Sequence, residues 1–288
     1  MLKYLKLLRI HHYIKNGLVF FPLVFSGRLG EIGLLCSVIC GTVAFCLVAS
    51  IVYILNDIRD AENDRQHSKK CRRPIASGIV SIPAACVTAC FLFVAAVMFQ
   101  SFANAVKPSV WFLLFGYLGL NLGYSFGLKN IPVIDIVILV SGFLIRVLYG
   151  SAVTGIEISN WLYLTVISLC FYLGLGKRRN ELSSQANGSS RKVLQLYNRE
   201  FLDKNMYVCL ALTITFYALW TVDSLTIQKT GNSNLVWTVP LVIVICMKYS
   251  LNIEGNSDGD PVEVILADRW LLVLISILAA IMVLIIYL

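Results

Sequence analysis

An all-α integral membrane protein is the fold class this sequence predicts, and three observations carry that expectation. Of its 288 residues 58% are hydrophobic and only 14% are charged, whereas a soluble domain has about 25% charged residues. Mean hydropathy is +0.78. The charges are gathered into short stretches between long apolar runs, which is the pattern of repeated bilayer crossings rather than of amphipathic stripes.

The apolar runs place about nine transmembrane helices at 17–31, 33–55, 82–104, 109–127, 132–153, 159–177, 205–227, 234–251 and 270–288. The first run is short and contains Pro22, so it is expected to be tilted or broken. With nine spans, the N-terminus and the loops after the second, fourth, sixth and eighth helices share one side. That side collects most of the lysines and arginines, and the opposite side carries Arg28, Lys107 and Lys229. The positive-inside rule assigns the basic side to the cytoplasm, and the plasma (cell inner) membrane is the expected location. The same bias accounts for the formal net charge of +8. The lipid bilayer is therefore the expected partner, and nucleic acid is not. The long polar loops at 56–81, 178–204 and 252–268 lie on the basic side too. Chemistry is expected there, on a single transmembrane domain spanning 1–288.

Met1 to Gly27 does not read as a cleavable signal, because basic and apolar residues interleave without an ordered n-region, h-region and cleavage site. Leu2–His12 is expected to be an amphipathic helix at the membrane surface. The nine cysteines are mostly buried in apolar runs with no C-x-x-C, so they read as reduced core residues. Cys71 with His67 is too little for a zinc site. Asn187-Gly188-Ser189 lies on the cytoplasmic side, where glycosylation is not expected.

The most informative stretch is Asn56-Asp57-Ile58-Arg59-Asp60-Ala61-Glu62-Asn63-Asp64-Arg65. If the second helix continues through it, Asp57, Asp60 and Asp64 fall at i, i+3 and i+7, within roughly 60° of one another on one face, with Asn56 beside them. Carboxylates so close repel unless a cation sits between them. Hard oxygen ligands of this kind suit Mg²⁺, which bridges carboxylates and substrate phosphate oxygens. The bland reading is a solvated acidic loop. The basic flank of Arg65, Lys69, Lys70, Arg72 and Arg73 has the chemistry to hold phosphate oxygens, and topology alone explains it equally well.

The pattern N-D-x-x-D-x-x-x-D followed by Arg73-Pro74-Ile75-Ala76-Ser77-Gly78 closely resembles the first aspartate motif of the UbiA superfamily. His12-Tyr13-Ile14-Lys15-Asn16 resembles the motif that precedes helix 1 in that superfamily. Tyr124-Ser125-Phe126-Gly127-Leu128-Lys129, then Asp135, resembles its second motif. Ser141 to Arg146, Gly176 to Leu182 and Pro261…Asp268-Arg269 are similar to one branch, the decaprenyl-phosphate phosphoribosyltransferases. The resemblance covers essentially the whole chain. It implies an intramembrane transferase with nine helices around a central cavity, in which Asp57, Asp60 and Asp64 hold Mg²⁺. It also implies phosphoribosyl pyrophosphate and a polyprenyl phosphate as substrates, in cell wall precursor synthesis, and leaves room for a homo-oligomer. Lys15, Asn16, Asn56, Arg65, Lys70, Arg72, Arg73, Tyr124 and Lys129 are the substrate-binding candidates it suggests.

Members that move a prenyl group carry paired aspartates in the second motif. Here Asp135 stands alone, with Leu139 four residues on. Asp135 is therefore expected to contact a sugar hydroxyl or a shared metal, or else simply to favour its helix start. Arg146 lies eleven residues further, on nearly the same face and roughly 16 Å deeper. An arginine at that depth faces the protein interior or a polar cavity, so an anion-holding role and a structural one both stay open. Asn121, Tyr124 and Ser125 share a helix face, which lines a cavity or bonds between helices. Lys177, Arg178 and Arg179 end the sixth helix, as phosphate ligands or topological anchors. Asp258, Asp260, Glu263, Asp268 and Arg269 sit in a loop that closes onto the same side. His11, His12 and His67 look incidental.

The expected reaction needs positioning and charge neutralisation more than covalent help. Two rivals remain. One is a UbiA-type prenyltransferase acting on an aromatic acceptor. The other is a non-enzymatic transporter or lipid-binding scaffold, for which polarity spread along several helices would be expected.

Overall fold

The computed structural model describes residues 2–66, 70–103, 107–183, 192–255 and 259–288. His67, Lys69, the Asn187-Gly188-Ser189 sequence and Asp258 lie outside the described residues. The helices are α1 (Leu2–Leu8), α2 (Phe21–Phe25), α3 (Ile32–Arg59), α4 (Ala61–Arg65), α5 (Ile82–Phe102), α6 (Pro108–Ser125) and α7 (Ile134–Thr154). They continue with α8 (Asn160–Ser183), α9 (Arg199–Val222), α10 (Ser224–Thr230), α11 (Val239–Glu254), α12 (Pro261–Ala267) and α13 (Arg269–Tyr287). Short 3-10 turns connect several of them, and no strand occurs among the described residues.

Among the described residues six helical stretches are long and apolar enough to cross a membrane: α3, α5, α7, α9, α13, and Asn234–Glu254, which joins a 3-10 turn to α11. The expected spans at 109–127 and 159–177 also fall on continuous helices, α6 and α8. They are diluted by polar and small residues in α6 and by the charged end of α8. The run at 17–31 differs. It is a 3-10 segment, Ile10–Phe20, followed by the five-residue α2 and a turn at Gly27 with φ +75°. Pro22 stands at the second position of α2, where its missing N–H costs nothing, so it starts a new helix instead of continuing one. The N-terminal helix is shorter than Leu2–His12 as well. It stops at Leu8, because Arg9 takes a left-handed conformation (φ 52°, ψ 49°).

By contacts the chain forms two compact units: residues 1–24, 28–127 and 145–156, and residues 25–27, 128–144 and 157–288. The first is organised around α3, which packs against α1, the 3-10 segment, α5 and α6. Ala85, Ala89, Leu92 and Ala96 form the buried stripe of α5, at i, i+4, i+7 and i+11. Small residues let helix backbones approach closely, which matters where lipid removes the hydrophobic drive between helices. The opposite stripe of Val87, Phe91, Val94, Met98 and Phe102 is exposed. A helix apolar on both faces, one of them open, is built for lipid. In the second unit α8 packs on α9, and α11 on α13.

One close approach fixes the N-terminal segment. A Cβ added at Gly150 of α7 would stand 2.0 Å from the Val19 carbonyl oxygen. We predict that Gly150→Ala destabilises the protein by at least about 1–3 kcal/mol, the usual cost of overpacking. Gly116→Ala on α6, where nothing lies within 4 Å, is expected to melt like the wild type; unfolding in detergent micelles checks both.

Candidate active site

The acidic motif sits where α3 gives way to α4. Asp57 is in the last turn of α3, 2% exposed, and Asp64 is in α4, 4% exposed. Between them Asp60 leaves helical geometry (φ −88°, ψ 4°), its N–H donating to the Asn56 carbonyl at 2.9 Å. The unbroken three-carboxylate face expected from the sequence is therefore not what the fold builds. Among the described residues no three His, Cys, Asp or Glu side chains group closely enough to hold an ion. The break at Asp60 is the physical reason, since it resets the angle between Asp57 on α3 and the residues of α4. Glu62 is exposed.

Asp57 and Asp64 are nonetheless brought together, through one nitrogen atom. Arg73 Nη1 lies 2.6 Å from Asp64 Oδ2 and 3.2 Å from Asp57 Oδ1. Asp57 Oδ1 also accepts from Arg9 Nη2 at 2.6 Å, and the Arg9 guanidinium stands 4.9 Å from the Tyr53 ring centre. The loop that delivers Arg73 is anchored by Ile75, buried in a cluster with Leu7, Ile54 and Ala61. Arg65 Nε donates to the Ala76 carbonyl at 3.3 Å and so ties the same loop back to α4. One positive point already lies between two buried carboxylate oxygens. Such hard donors fit a divalent cation that takes two carboxylates and completes its shell with water and phosphate oxygens.

Beside this pair a cavity of about 450 Å³ opens. Arg9, His11, His12, Asp57, Arg72 and Arg73 form most of its polar wall, with Lys6. The two histidines read as incidental in the sequence are thus wall residues of the site, and Lys6 and Arg9 belong to it too. Their signal was a basic residue every third position in the N-terminal stretch, which a surface helix explains equally well. Lys70 and Arg72 are exposed; Lys15 and Tyr124 are partly buried.

Deeper in the first unit Arg146 is 6% exposed. Its Nε donates to Asn16 Oδ1 at 2.7 Å and its Nη2 to the Tyr117 hydroxyl at 3.1 Å. The guanidinium lies 5.1 and 5.0 Å from the ring centres of Phe45 and Tyr117, a cation–π arrangement worth about 0.5–2 kcal/mol per ring. Asn16 in turn donates to Cys46 Sγ at 3.1 Å. Arg146 therefore faces the interior, as its depth requires. The Ser125 hydroxyl lies between the Asn56 side-chain oxygen and the Asn121 carbonyl, linking α6 to the end of α3.

The second unit gathers the other candidates. Asp135 is fully buried, and both its oxygens are engaged: Oδ2 accepts from Arg178 Nε at 2.6 Å and Oδ1 from the Tyr197 hydroxyl at 2.6 Å. Arg178 also donates to Glu181 at 2.6 Å. Burial, then the bond to Asp135, pushes the Tyr197 phenol up to about 12, so it remains a donor at neutral pH. Tyr197 also accepts from the Val133 N–H at 2.5 Å. That bond holds a β-branched residue at φ 68°, a conformation costing on the order of 1–3 kcal/mol. Tyr197 was invisible to pattern reading because it belongs to no motif.

The three consecutive basic residues of α8 diverge to three carboxylates: Lys177 to Asp260 (3.3 Å), Arg178 to Asp135, and Arg179 to Asp203 (2.5 Å). Gly259, at φ +73°, presses against them; a Cβ there would meet Asn180 Cβ at 2.8 Å. Asp260 and Asp268 also cap α12 and α13, accepting from Val262 and Leu271 N–H groups. Lys248 and that N–H hold the Asp268 carboxyl down at about 2. Lys129 stands partly buried in a 3-10 turn ahead of α7.

Removing Arg178 strands a buried Asp135 carboxylate. Arg178→Met is expected to cost about 3–5 kcal/mol, the usual penalty for breaking a buried pair. Asp135→Asn/Arg178→Met should recover part of that loss in the same thermal unfolding assay.

Residues 19–271 match the profile described as the UbiA prenyltransferase family. The chain is 33% identical over 275 residues to a decaprenyl-phosphate phosphoribosyltransferase of Corynebacterium glutamicum, covering 94% of this chain and 82% of that one. It is 32% identical over 272 residues to the protein of that name in Mycobacterium tuberculosis, covering 92% and 87%. Among solved structures, a UbiA homolog from Archaeoglobus fulgidus bound to GPP and Mg²⁺ superposes with a TM-score of 0.70 at 18% identity, covering 99% of this chain and all of that one. That likeness shows the fold. Helices, span composition and sequence agree: this chain is an integral membrane transferase and belongs to the UbiA prenyltransferase family.

Proposed function

We propose that this protein transfers the 5-phosphoribosyl group of phosphoribosyl pyrophosphate to a polyprenyl phosphate of the decaprenyl type, with release of diphosphate. The observation that carries the reading is the pair of buried carboxylates, Asp57 and Asp64, facing one cationic nitrogen beside a basic cavity. The names of the relatives at 32–33% identity support the same substrates. The reaction is placed at the cytoplasmic face of the plasma membrane, where the positive-inside rule puts these loops. Residues 1–288 are taken to work as one domain.

In this reading an oxygen of the polyprenyl phosphate forms a bond to C1 of the ribose while the bond from C1 to the diphosphate oxygen breaks. The diphosphate leaves with that electron pair. The acceptor is already anionic, so no general base is needed. Asp57 and Asp64 would hold Mg²⁺, which when bound supplies positive charge to the departing diphosphate. Arg73 steadies both carboxylates before substrate arrives and is placed to share the diphosphate charge. Arg72, Lys70 and Arg65 lie on the same loop and α4 and add to that field, and Lys15 and Asn56 are assigned to substrate contact. Asn16 and Arg146 shape the interior wall. Asp60 is kept as a contributor from the helix break, where it would take part through water. Tyr124, Lys129 and Lys177 remain candidate contacts. Asp135 and Arg178 are assigned a positioning role, since each already satisfies the other.

Transfer of a prenyl group to an aromatic acceptor calls for a second carboxylate pair. Asp135 has Leu139 four residues on, and both its oxygens are occupied. Membranes holding the protein should move label from phosphoribosyl pyrophosphate into lipid only with a divalent cation and a polyprenyl phosphate. Asp64→Asn should lower that rate at least about 100-fold, the scale of losing one electrostatic stabiliser, with the fold retained. Transfer from a prenyl diphosphate instead would replace this reading with the aromatic one.

A further inference from the structure

We propose that the cavity beside Asp57 is a phosphate monoester subsite, built chiefly by the N-terminal segment and adjoining the carboxylate pair. It rests on the reading of Asp57 and Asp64 as the diphosphate end of the site. Three features lead to it. The first is charge. Lys6, Arg9, Arg72 and Arg73 face a cavity with one carboxylate, Asp57. Arg9 and Arg73 are committed to that carboxylate. Arg73 also pairs Asp64, and among the described residues Lys6 and Arg72 enter no ion pair, so four cations against two carboxylates leave an excess of two positive charges.

The second feature is backbone. Among the described residues Arg9 is one of two non-glycine residues with positive φ, a conformation that persists only where the surroundings enforce it. The left-handed turn ends α1 and starts the 3-10 segment at Ile10. This brings Lys6, from before the turn, and His11 and His12, from after it, onto one wall. A continuous helix would set Lys6 and His11 on different faces, five residues and about 500° apart. The histidine rings stand 4.1 Å from one another, with His12 5.4 Å from Tyr53.

The third is size. About 450 Å³ is ample for a sugar phosphate, and lies in the range of roughly 300–1,000 Å³ typical of small-molecule sites. A phosphate monoester carries about −1.5 to −2 charge at neutral pH and three terminal oxygens. The Arg72 fork, the Lys6 ammonium and imidazole N–H groups match that pattern of acceptors. Two sources share this chemistry: the sugar 5-phosphate of a phosphoribosyl donor and the headgroup of a lipid phosphate. The donor is favoured, because its two charged ends would then meet the carboxylate pair and the cavity side by side.

The test is calorimetric titration of the full-length protein in detergent with ribose 5-phosphate, and separately with geranyl phosphate. Lys6→Gln/Arg72→Gln alters two exposed side chains outside any ion pair, and its melting temperature reports on folding. Ribose 5-phosphate is expected to bind saturably and at least tenfold more weakly to the double variant. Lys3→Gln, one turn before Lys6 and not part of the cavity, should bind within twofold of wild type. Geranyl phosphate binding that depends on Lys6 and Arg72, with none for ribose 5-phosphate, would keep the subsite and make the lipid headgroup its occupant. Binding of both ligands indifferent to Lys6 and Arg72, or no binding of either, overturns the proposal. Labelled transfer is measured apart: transfer without Lys6-dependent binding sinks the subsite alone, and Lys6-dependent binding without transfer sinks the proposed reaction alone.

Discussion

Buried carboxylates at the polar ends of apolar helices cannot stay ionised without a partner, and this requirement shapes both units. Taking a charge out of water costs several kcal/mol even after relaxation. Asp57 and Asp64 meet it with Arg73 and Arg9; Asp135 meets it with Arg178 and Tyr197. Each neutralising arginine comes from a different stretch of chain than the acid it serves. The loops and the N-terminal segment are thereby tied to the helices at these points. The local consequences are the anchored loop around Ile75, the left-handed turn at Arg9, and the strained Val133 held by a tyrosine.

The two solutions differ in what they leave available. Both oxygens of Asp135 are satisfied by donors within a fully buried setting, which makes that cluster a brace. Around Asp57 and Asp64 the cations outnumber the acids and a cavity adjoins them. An arginine between two carboxylates occupies the kind of position a divalent cation wants, and a divalent cation there would bring one more unit of positive charge to the two acids. The second kind of cluster is the one with room for a ligand beside it.

Much of the fold was legible because membrane spans are written in composition. Long apolar runs need no tertiary context, and all but the first lie on the helices expected. The first run failed at Pro22, whose effect depends on whether neighbouring helices can absorb a break, and Gly150 accepts the resulting backbone against it. The acidic motif was legible as a site, but its geometry was not. A spacing of three and four residues assumes one continuous helix, and Asp60 interrupts it. The contacts of Arg9 and Tyr197 could not be read from the sequence, because they join residues far apart in the chain. The position of the two histidines on the cavity wall could not be read from the sequence for the same reason, since the turn at Arg9 brings them there.

The central claim is that Asp57 and Asp64 form the cation site. Electron paramagnetic resonance of Mn²⁺, used as a stand-in for magnesium and titrated against the purified protein with diphosphate present, tests it most directly. The account predicts one site per chain, lost in Asp57→Asn/Asp64→Asn while the thermal transition remains. Unchanged manganese binding in that variant would contradict it.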